Sequence, residues 1–373
     1  MNLHLPLSAF AGPFQSDIGD GIIASQAWRK LVPIDFAASN EFMAAHYRHL
    51  GYDDSNNRYL QSIGDAGQEQ GQAFLDVFNA REGFYKRGTN GMLHLEEPCL
   101  DGTGFELSYI LFDTSVDIDW TNKEQVGTHY LPKLREIITK SLSSGSNGDI
   151  THVEFYHPMV RGEDVDLTQK TSPIARRVHI DTDFGAHDIE GIVNLVEKNS
   201  IRINNQSSFP REDIIAAIRD GKRFSVVNAW KGIQINDTKV SRAHLGLLPA
   251  QYEYDKNLIP TKFRCFPTLQ PDPSFSRWYV YPNMSSDEVL LFKQYDRRAN
   301  LISDIWHCSL PPTQYEIEQE DALPRRSFDV RALVVFDNIV PNELDRYCNN
   351  RPRPVLTLEE SGCFCDEQAA KRK

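Results

Sequence analysis

Two histidines and one aspartate in this chain have the residue types of a mononuclear iron site. His179 and Asp181 stand two residues apart in RRVHIDTD, and His307 lies far downstream in SDIWHCSL. Two imidazoles and one carboxylate can hold Fe(II) on one face and leave the opposite positions open for oxygen and other ligands. The set predicts an iron-dependent oxygenase in which these three residues are the metal ligands and the catalytic residues.

Spacing alone does not single out this pair, because two other His-x-acid triplets begin at His94 and His152. His152 lies in DITHVEFYHP, where the alternation predicts a half-exposed strand. His94 lies in a turn-rich stretch between glycine pairs. The pair that begins at His179 instead ends a strand-like segment and opens into the loop DFGAHD. A ligand pair at the end of a rigid strand suits a preorganised metal site.

Composition narrows the class of protein before any fold is known. The net charge of −12 and the pI near 5.4 argue against a nucleic-acid or anionic-membrane partner, because phosphate groups need a basic face. No apolar run approaches the roughly 20 residues of a membrane span, and MNLHLPLSAFAGPF lacks a signal-peptide pattern. Six cysteines without CxxC pairs fit reduced thiols. These features predict a soluble cytoplasmic protein, and the assemblies they allow include a homodimer.

The elements that must position the candidate ligands are mostly strands. A helix is predicted over YLPKLREIITKSL, whose apolar residues share one face and which ends in SSGSNG. A second helix is predicted in SSFPREDIIAAIRDG, with Ser207 or Ser208 as cap, Pro210 in the first turn and Gly221 at the end. Short β-rich runs dominate from residue 150 onward. Many short strands joined by loops predict an antiparallel sandwich or barrel.

The chain is predicted to form one domain over residues 1–345. A mixed α/β part, 1–148, precedes a β-rich core, 149–340, and a charged tail occupies 346–373. The stretch 231–277 is long, proline-bearing and irregular. Loops of that length in a compact domain are usually binding loops or lids, so this stretch is predicted to cover the mouth of the barrel.

The order of motifs along the chain resembles that of one enzyme family. HIDTD is followed by VVNAW, WYVYPNMSSDEVLLFKQYD, the distal histidine and PRRSFDVRALV. This order resembles the Fe(II)/2-oxoglutarate-dependent oxygenases of the fungal gibberellin-desaturase and cephamycin-methoxylation type, over about residues 75–340. The resemblance implies a mainly β fold with flanking helices, the double-stranded β-helix, which is a distorted, cupin-like jelly roll.

The resemblance also implies the chemistry. Fe(II) would be held by His179, Asp181 and His307, with 2-oxoglutarate as co-substrate alongside O2. The reaction would be hydroxylation or desaturation of a small-molecule natural-product intermediate in secondary metabolism. Two other hypotheses stay open: an iron-dependent oxidase that does not use 2-oxoglutarate, and a non-catalytic jelly-roll partner of an active homologue.

Two arginines are candidates to bind the distal carboxylate of 2-oxoglutarate. Arg331 is preferred because it lies deeper in the apolar run SFDVRALVVF. Arg325, together with Ser327, is the alternative. All three side chains share one face of a strand at a period of two residues, and either guanidinium could form a charge-assisted pair with a carboxylate.

Four further residues are candidate substrate contacts: Asn228, Trp230, Lys231 and Tyr281. Asn228 and Trp230 share a strand face, on which the asparagine is a polar residue in an apolar row. Lys231 stands in NAWKG where the family pattern reads Asn-x-Trp-Arg-Pro, which keeps the positive charge but loses the fork geometry. Lys293, in LLFKQYD, is expected on the solvated face of its strand.

Overall fold

A computed structural model describes the chain over residues 27–36, 71–87, 93–110, 117–143, 148–163, 171–181, 188–201, 209–234, 238–249, 258–260, 265–267, 277–301, 303–319 and 322–349. Within these ranges the strands are β1 (Ala27–Phe36), β2 (Gly71–Asn79), β3 (Phe84–Arg87), β4 (Leu93–Glu96), β5 (Phe105–Tyr109), β6 (Ile150–Gly162), β7 (Thr171–Pro173), β8 (Lys222–Gly232), β9 (Leu245–Pro249), β10 (Leu258–Pro260), β11 (Cys265–Pro267), β12 (Trp278–Val280), β13 (Glu288–Asp296), β14 (Ile305–Ser309) and β15 (Arg326–Ile339). The helices are α1 (Leu131–Leu142), α2 (Ile189–Lys198), α3 (Arg211–Arg219), α4 (Gln314–Glu318) and α5 (Arg346–Asn349). Short helical turns lie at Ala80–Glu82, Lys123–Gln125, Val126–Tyr130 and Asn342–Leu344.

Two mainly antiparallel sheets face each other across the core. The larger sheet has the strand order β5–β13–β8–β15–β6–β7, and the smaller has the order β1–β2–β12–β9–β14. Residues 177–181 extend the smaller sheet beyond β14 through a bridge between His179 and His307. Four strands in one layer (β6, β15, β8, β13) therefore oppose four segments in the other (177–181, β14, β9, β12). This is the double-stranded β-helix, and the predicted fold is confirmed.

Side-chain alternation along β15 shows how the sequence builds the core. Val330 and Ala332 pack on the apolar face of α1, which contributes Leu134 and other buried residues. Successive side chains of a strand point to opposite faces, so the odd-numbered residues point into the sandwich. Leu333 lies among them in a cluster with α2 and α3, which close that end of the fold. Earlier odd-numbered residues of the same strand face the candidate site.

The helices agree with the sequence only in part. The helix expected over YLPKLREIITKSL is α1, and α3 begins at Arg211 with Pro210 in the N-cap position. Gly221, expected to end α3, has a positive φ of 83°, a conformation that glycine adopts without steric cost. Ser207 and Ser208, the expected caps, lie outside the described residues. Helix α2 was not predicted at all, although Asp188 caps it by accepting from the Gly191 backbone N–H at 2.6 Å.

The prediction of an irregular lid over 231–277 is wrong where the structure describes that stretch. It contains β9, an inner strand of the smaller sheet, paired with β14 and β12. The sequence LGLLP has no alternation because this strand is buried on both faces. Gly246 is needed there, since a Cβ would lie 2.8 Å from the Leu310 side chain. Residues 250–257, 261–264 and 268–276, which also belong to the predicted lid, lie outside the described residues.

The two ends of the described chain also pack on this framework. β1 and β2 extend the smaller sheet from its β12 edge, and Tyr347 in α5 is buried with its ring 5.7 Å from that of Phe224. The rest of the predicted tail, from residue 350, lies outside the described residues. In the part of the chain that is described, no helix is long and apolar enough to cross a membrane.

Candidate metal centre

The smaller sheet brings the three predicted ligands together. His179 and His307 are directly opposed, exchanging two backbone hydrogen bonds of 3.1 and 3.0 Å, and their ring centroids are 4.3 Å apart. The Asp181 carboxylate faces both rings, with Oδ1 3.5 Å from His179 Nε2 and Oδ2 3.6 Å from His307 Nε2. All three residues are buried, and one donor atom from each lies within 4.8 Å of the others.

Backbone carbonyls orient both imidazole rings. His179 Nδ1 lies 2.8 Å from the Arg177 carbonyl oxygen, and His307 Nδ1 lies 3.2 Å from that of Ile305. A carbonyl oxygen can only accept, so each Nδ1 carries a proton and donates it. In the neutral rings the Nε2 lone pairs are then directed at Asp181. Fixing the tautomer through the other ring nitrogen is how proteins prepare histidine for a metal.

Two side chains hold the Asp181 carboxylate from the larger sheet. Arg331 Nη2 lies 2.8 Å from Oδ1, and Asn228 Nδ2 donates to Oδ2 at 2.6 Å. Burial raises the pKa of Asp181, but the Arg331 guanidinium, joined by the two imidazoles when they are protonated, outweighs it and holds that pKa well below its usual range. The carboxylate is therefore ionised at neutral pH.

Gln294 connects the two segments that carry the ligands. Its Oε1 accepts from the Asp181 backbone N–H at 2.8 Å, and its Nε2 donates to the Ile305 carbonyl at 2.9 Å. The residue lies on β13 and is completely buried. Gln294 was not predicted as a site residue, although a glutamine inside the apolar run EVLLFKQYD could have indicated a buried hydrogen-bonding role.

Replacing Gln294 with leucine should destabilise the fold and the site together. The change leaves the buried Asp181 N–H without a partner, at a cost of about 1–3 kcal/mol, while the Ile305 carbonyl keeps the His307 Nδ1 donor. Urea unfolding at neutral pH should show a loss of roughly 1–3 kcal/mol. Gln319→Ala is a suitable control, because Gln319 is exposed and its side chain donates only a surface hydrogen bond to the Tyr315 carbonyl in the described structure. Equal stability of the Gln294→Leu and Gln319→Ala variants would contradict this role.

A narrow cavity opens onto the three residues. Its lining comprises Arg161, Ala175, His179, Asp181, Asn228, Trp230, Leu245, Phe292, His307, Arg325 and Asp329. Four buried polar atoms around it make no hydrogen bond within the described ranges: Asn228 Oδ1, Trp230 Nε1, Arg325 Nε and Ser327 Oγ. Because buried polar groups are normally paired, these atoms indicate space for a polar ligand.

Arg325 is a buried cation that lines this cavity. Its Nη1 donates to the Ala243 carbonyl at 2.6 Å and to Ser309 Oγ at 3.0 Å, and the guanidinium carbon lies 5.4 Å from the centre of the Trp230 ring. Burial lowers the pKa of Arg325 to about 9, so it remains charged at neutral pH. Among the described residues, no carboxylate forms an ion pair with it. The geometry therefore favours Arg325 over Arg331 as the group that meets an external carboxylate.

The candidate substrate contacts separate into two groups. Asn228 and Trp230 line the cavity as expected. Lys231 is the next residue of β8 and so points to the opposite face, beside Phe328 in the neighbouring strand. Tyr281 is buried against Phe105, with ring centroids 6.2 Å apart, and is not part of the cavity wall. Because alternate residues of a strand point to opposite faces, Lys231 cannot share the cavity with Asn228 and Trp230. The sequence spacing alone already implied this.

The fold and the donor set together define a class of protein. A double-stranded β-helix with two histidines and one carboxylate directed into its interior is the arrangement of mononuclear non-haem iron oxygenases. Residues 89–335 match the model of a family described as the oxidoreductase/YMDC permease-like domain, and the chain belongs to that family.

Two curated fungal proteins are similar in sequence. The α-ketoglutarate-dependent dioxygenase phiK of Fungal sp. (strain ATCC 74256) is 29% identical over 255 residues, which cover 64% of this chain and 79% of phiK. The α-ketoglutarate-dependent dioxygenase tstK of Talaromyces stipitatus is 27% identical over 258 residues, which cover 63% of this chain and 79% of tstK.

Solved structures show the same fold. The iron and α-ketoglutarate-dependent endoperoxidase NvfI aligns with a TM-score of 0.51 at 19% identity, covering 72% of this chain and 90% of NvfI. A single-substitution variant of NvfI aligns with a TM-score of 0.53 at 18% identity, covering 83% of this chain and 97% of the variant. At this level of identity the likeness concerns the fold.

Proposed function

We propose that this protein is an Fe(II)/2-oxoglutarate-dependent dioxygenase that acts on a small-molecule natural-product intermediate. The observation that carries the proposal is the buried cluster of His179, Asp181 and His307, in a cavity that also contains the Arg325 guanidinium, which forms no ion pair with the described residues. Similarity to two proteins named α-ketoglutarate-dependent dioxygenases supports the same activity.

The donor set fits Fe(II). Two neutral imidazole nitrogens and one ionised carboxylate converge from one side, so the other coordination positions would face the cavity. Bound Fe(II), with 2-oxoglutarate and O2, supplies the power to oxidise an unactivated C–H bond while 2-oxoglutarate becomes succinate and carbon dioxide. The protein's own contribution is placement and exclusion of water. Trp230, Leu245 and Phe292 form the apolar part of the wall around the ligands.

We assign the distal carboxylate of 2-oxoglutarate to Arg325 and Ser327. Arg325 is held rigidly by Ser309 and the Ala243 carbonyl, and its Nε and the Ser327 Oγ have no partner in the residues described. A rigid cation beside a hydroxyl can bind a carboxylate with little ordering cost. Arg331 is not available for this role, since it already contacts Asp181.

Two competing hypotheses fit these observations less well. An oxidase that does not use 2-oxoglutarate has no need for a buried guanidinium directed at the cavity. A non-catalytic partner has no need for two oriented imidazoles and an ionised carboxylate. The resemblance to the gibberellin-desaturase type supports a hydroxylase or desaturase of secondary metabolism. The six cysteines without CxxC pairs favour the cytoplasm. Light scattering on the purified protein would tell a monomer from the homodimer that the composition allows.

A titration with 2-oxoglutarate tests the proposal directly. Anaerobic protein loaded with Fe(II) should develop a weak charge-transfer band in the visible region as 2-oxoglutarate chelates the metal. Arg325→Gln should raise the dissociation constant for 2-oxoglutarate about tenfold to a hundredfold, because a hydrogen bond to a charged group contributes about 1.5–3 kcal/mol. Arg326→Gln is the matched control, since the next residue of the strand points to the opposite face.

Each other outcome of this titration has a defined meaning. Bound iron without a band would favour the oxidase that does not use 2-oxoglutarate. Folded protein that retains no iron under anaerobic loading would favour the non-catalytic partner. A band with unchanged affinity in the Arg325→Gln variant would keep the enzyme class and remove Arg325 from the co-substrate site.

A further inference from the structure

Arg331 occupies the position directly behind the Asp181 carboxylate. It lies on β15, opposite Tyr156 of β6 on one side and Asn228 of β8 on the other. Its side chain is only 7% exposed, and Nη2 is 2.8 Å from Asp181 Oδ1. The central strand of the larger sheet thus presents a cation to a ligand of the smaller sheet.

The ion pair between Arg331 and Asp181 neutralises two buried charges, one from each sheet. An unpaired buried ion costs several kcal/mol, so a buried arginine needs an anion. In the described structure, Asp181 is the carboxylate within ion-pair distance of Arg331. Arg325, six residues earlier on the same face of the chain, has no such partner among the residues that the structure describes. The two arginines therefore serve different anions: one belongs to the protein, and the other is the proposed co-substrate.

We propose that Arg331 is a positioning residue that fixes the plane of the Asp181 carboxylate before the metal arrives. Arg331 forms an ion pair with Oδ1 at 2.8 Å and Asn228 donates a hydrogen bond to Oδ2 at 2.6 Å, so the carboxylate cannot rotate without lengthening the ion pair or losing the hydrogen bond. The backbone N–H of Asp181 also donates a hydrogen bond to Gln294. This inference rests on the proposed function, because it takes Asp181 to be a metal ligand.

Cobalt(II) is a suitable probe, because it binds nitrogen and oxygen donors and its visible absorption reports the ligand geometry. Outer partners of metal ligands typically contribute about ten- to a hundredfold in metal affinity. Arg331→Gln should therefore raise the Co(II) dissociation constant by at least about tenfold and alter the spectrum of the bound ion. The dissociation constant for 2-oxoglutarate at saturating metal should stay within about twofold. Arg331→Lys, which keeps the charge, should restore part of the Co(II) affinity.

Arg325→Gln is the mirror control, expected to weaken 2-oxoglutarate binding and leave Co(II) binding unchanged. If Arg331→Gln does not fold, Asn228→Ala removes the donor to the other oxygen and should also weaken Co(II) binding. Wild-type Co(II) affinity in both Arg331→Gln and Asn228→Ala, or a tenfold loss of 2-oxoglutarate affinity in Arg331→Gln, would overturn this inference alone. Absence of Co(II) binding by the wild-type protein would overturn the proposed function as well.

Discussion

Replacement of His179 with alanine is expected to abolish metal binding and 2-oxoglutarate-dependent succinate formation together. The imidazole is one of only three protein donors proposed for the metal, and its Nε2 faces Asp181 at 3.5 Å. The two donors left, Asp181 and His307, cannot hold one face of the metal. Succinate formation should fall to the level measured without added Fe(II), and anaerobic loading should leave no stoichiometric iron.

His152→Ala is the matched control for this experiment. It removes a histidine that also precedes an acidic residue by two positions, but His152 lies on β6 opposite Val335, at the end of the sheet closed by α2 and α3. Its loss should leave iron content and succinate formation close to those of the wild-type protein. Turnover retained by His179→Ala, or lost equally in His152→Ala, would remove the proposed triad.

The chemistry-bearing residues were the most predictable part of this molecule. A metal ligand must have a particular donor atom, so residue type carries the signal directly. The preference for the pair at His179 over that at His152 came from its local context, a strand that ends in a loop. The structure brings the predicted pair to His307, across some 125 residues of chain, through a bridge between two short segments.

The sequence predicts which face of a strand a side chain occupies, but not which neighbours that side chain meets along the strand. Period two places Arg325 and Arg331 on one face, but it does not say which of them reaches the cavity and which lies behind Asp181. That depends on how the larger sheet crosses the smaller one, a non-local property. β9 was missed for a related reason: burial on both faces removes the alternation by which a strand is recognised in sequence.

Lys293 illustrates how a distant partner reverses a local expectation. The sequence favoured the solvated face, because an isolated lysine is rarely buried. The structure instead buries Lys293 completely, with Nζ 3.1 Å from Asp296 Oδ2 and in contact with Asp101. Arg223 joins the cluster at 2.7 Å from Asp296 Oδ2 and 2.9 Å from Asp101 Oδ1. Asp101 lies nearly 200 residues from the lysine, so no local pattern could predict the pairing.

Asp296→Asn is expected to cause a large loss of stability. Asp296 is fully buried between two buried cations, and its replacement leaves Arg223 and Lys293 to share Asp101 alone. Removing one member of a buried ion cluster typically costs about 3–5 kcal/mol, because the remaining charge is uncompensated. Urea unfolding at neutral pH should show a loss of that size. Glu190→Gln, which breaks the exposed pair with Arg211, should have a far smaller effect.

The pH dependence of stability provides a second test of the same cluster. Burial raises the pKa of Asp296, but Lys293 and Arg223 outweigh that effect, and the pKa of the folded state lies below the usual value. A carboxyl with a depressed folded pKa stabilises the protein above its unfolded pKa of about 3.9, and that contribution is lost as the pH falls through the folded pKa. The wild-type and Asp296→Asn unfolding free energies should therefore differ by a constant amount near neutrality and converge only as the pH falls below about 3.9 and through the folded pKa. A difference that stayed constant across that fall would show that the lost stability came from packing rather than from the buried charge.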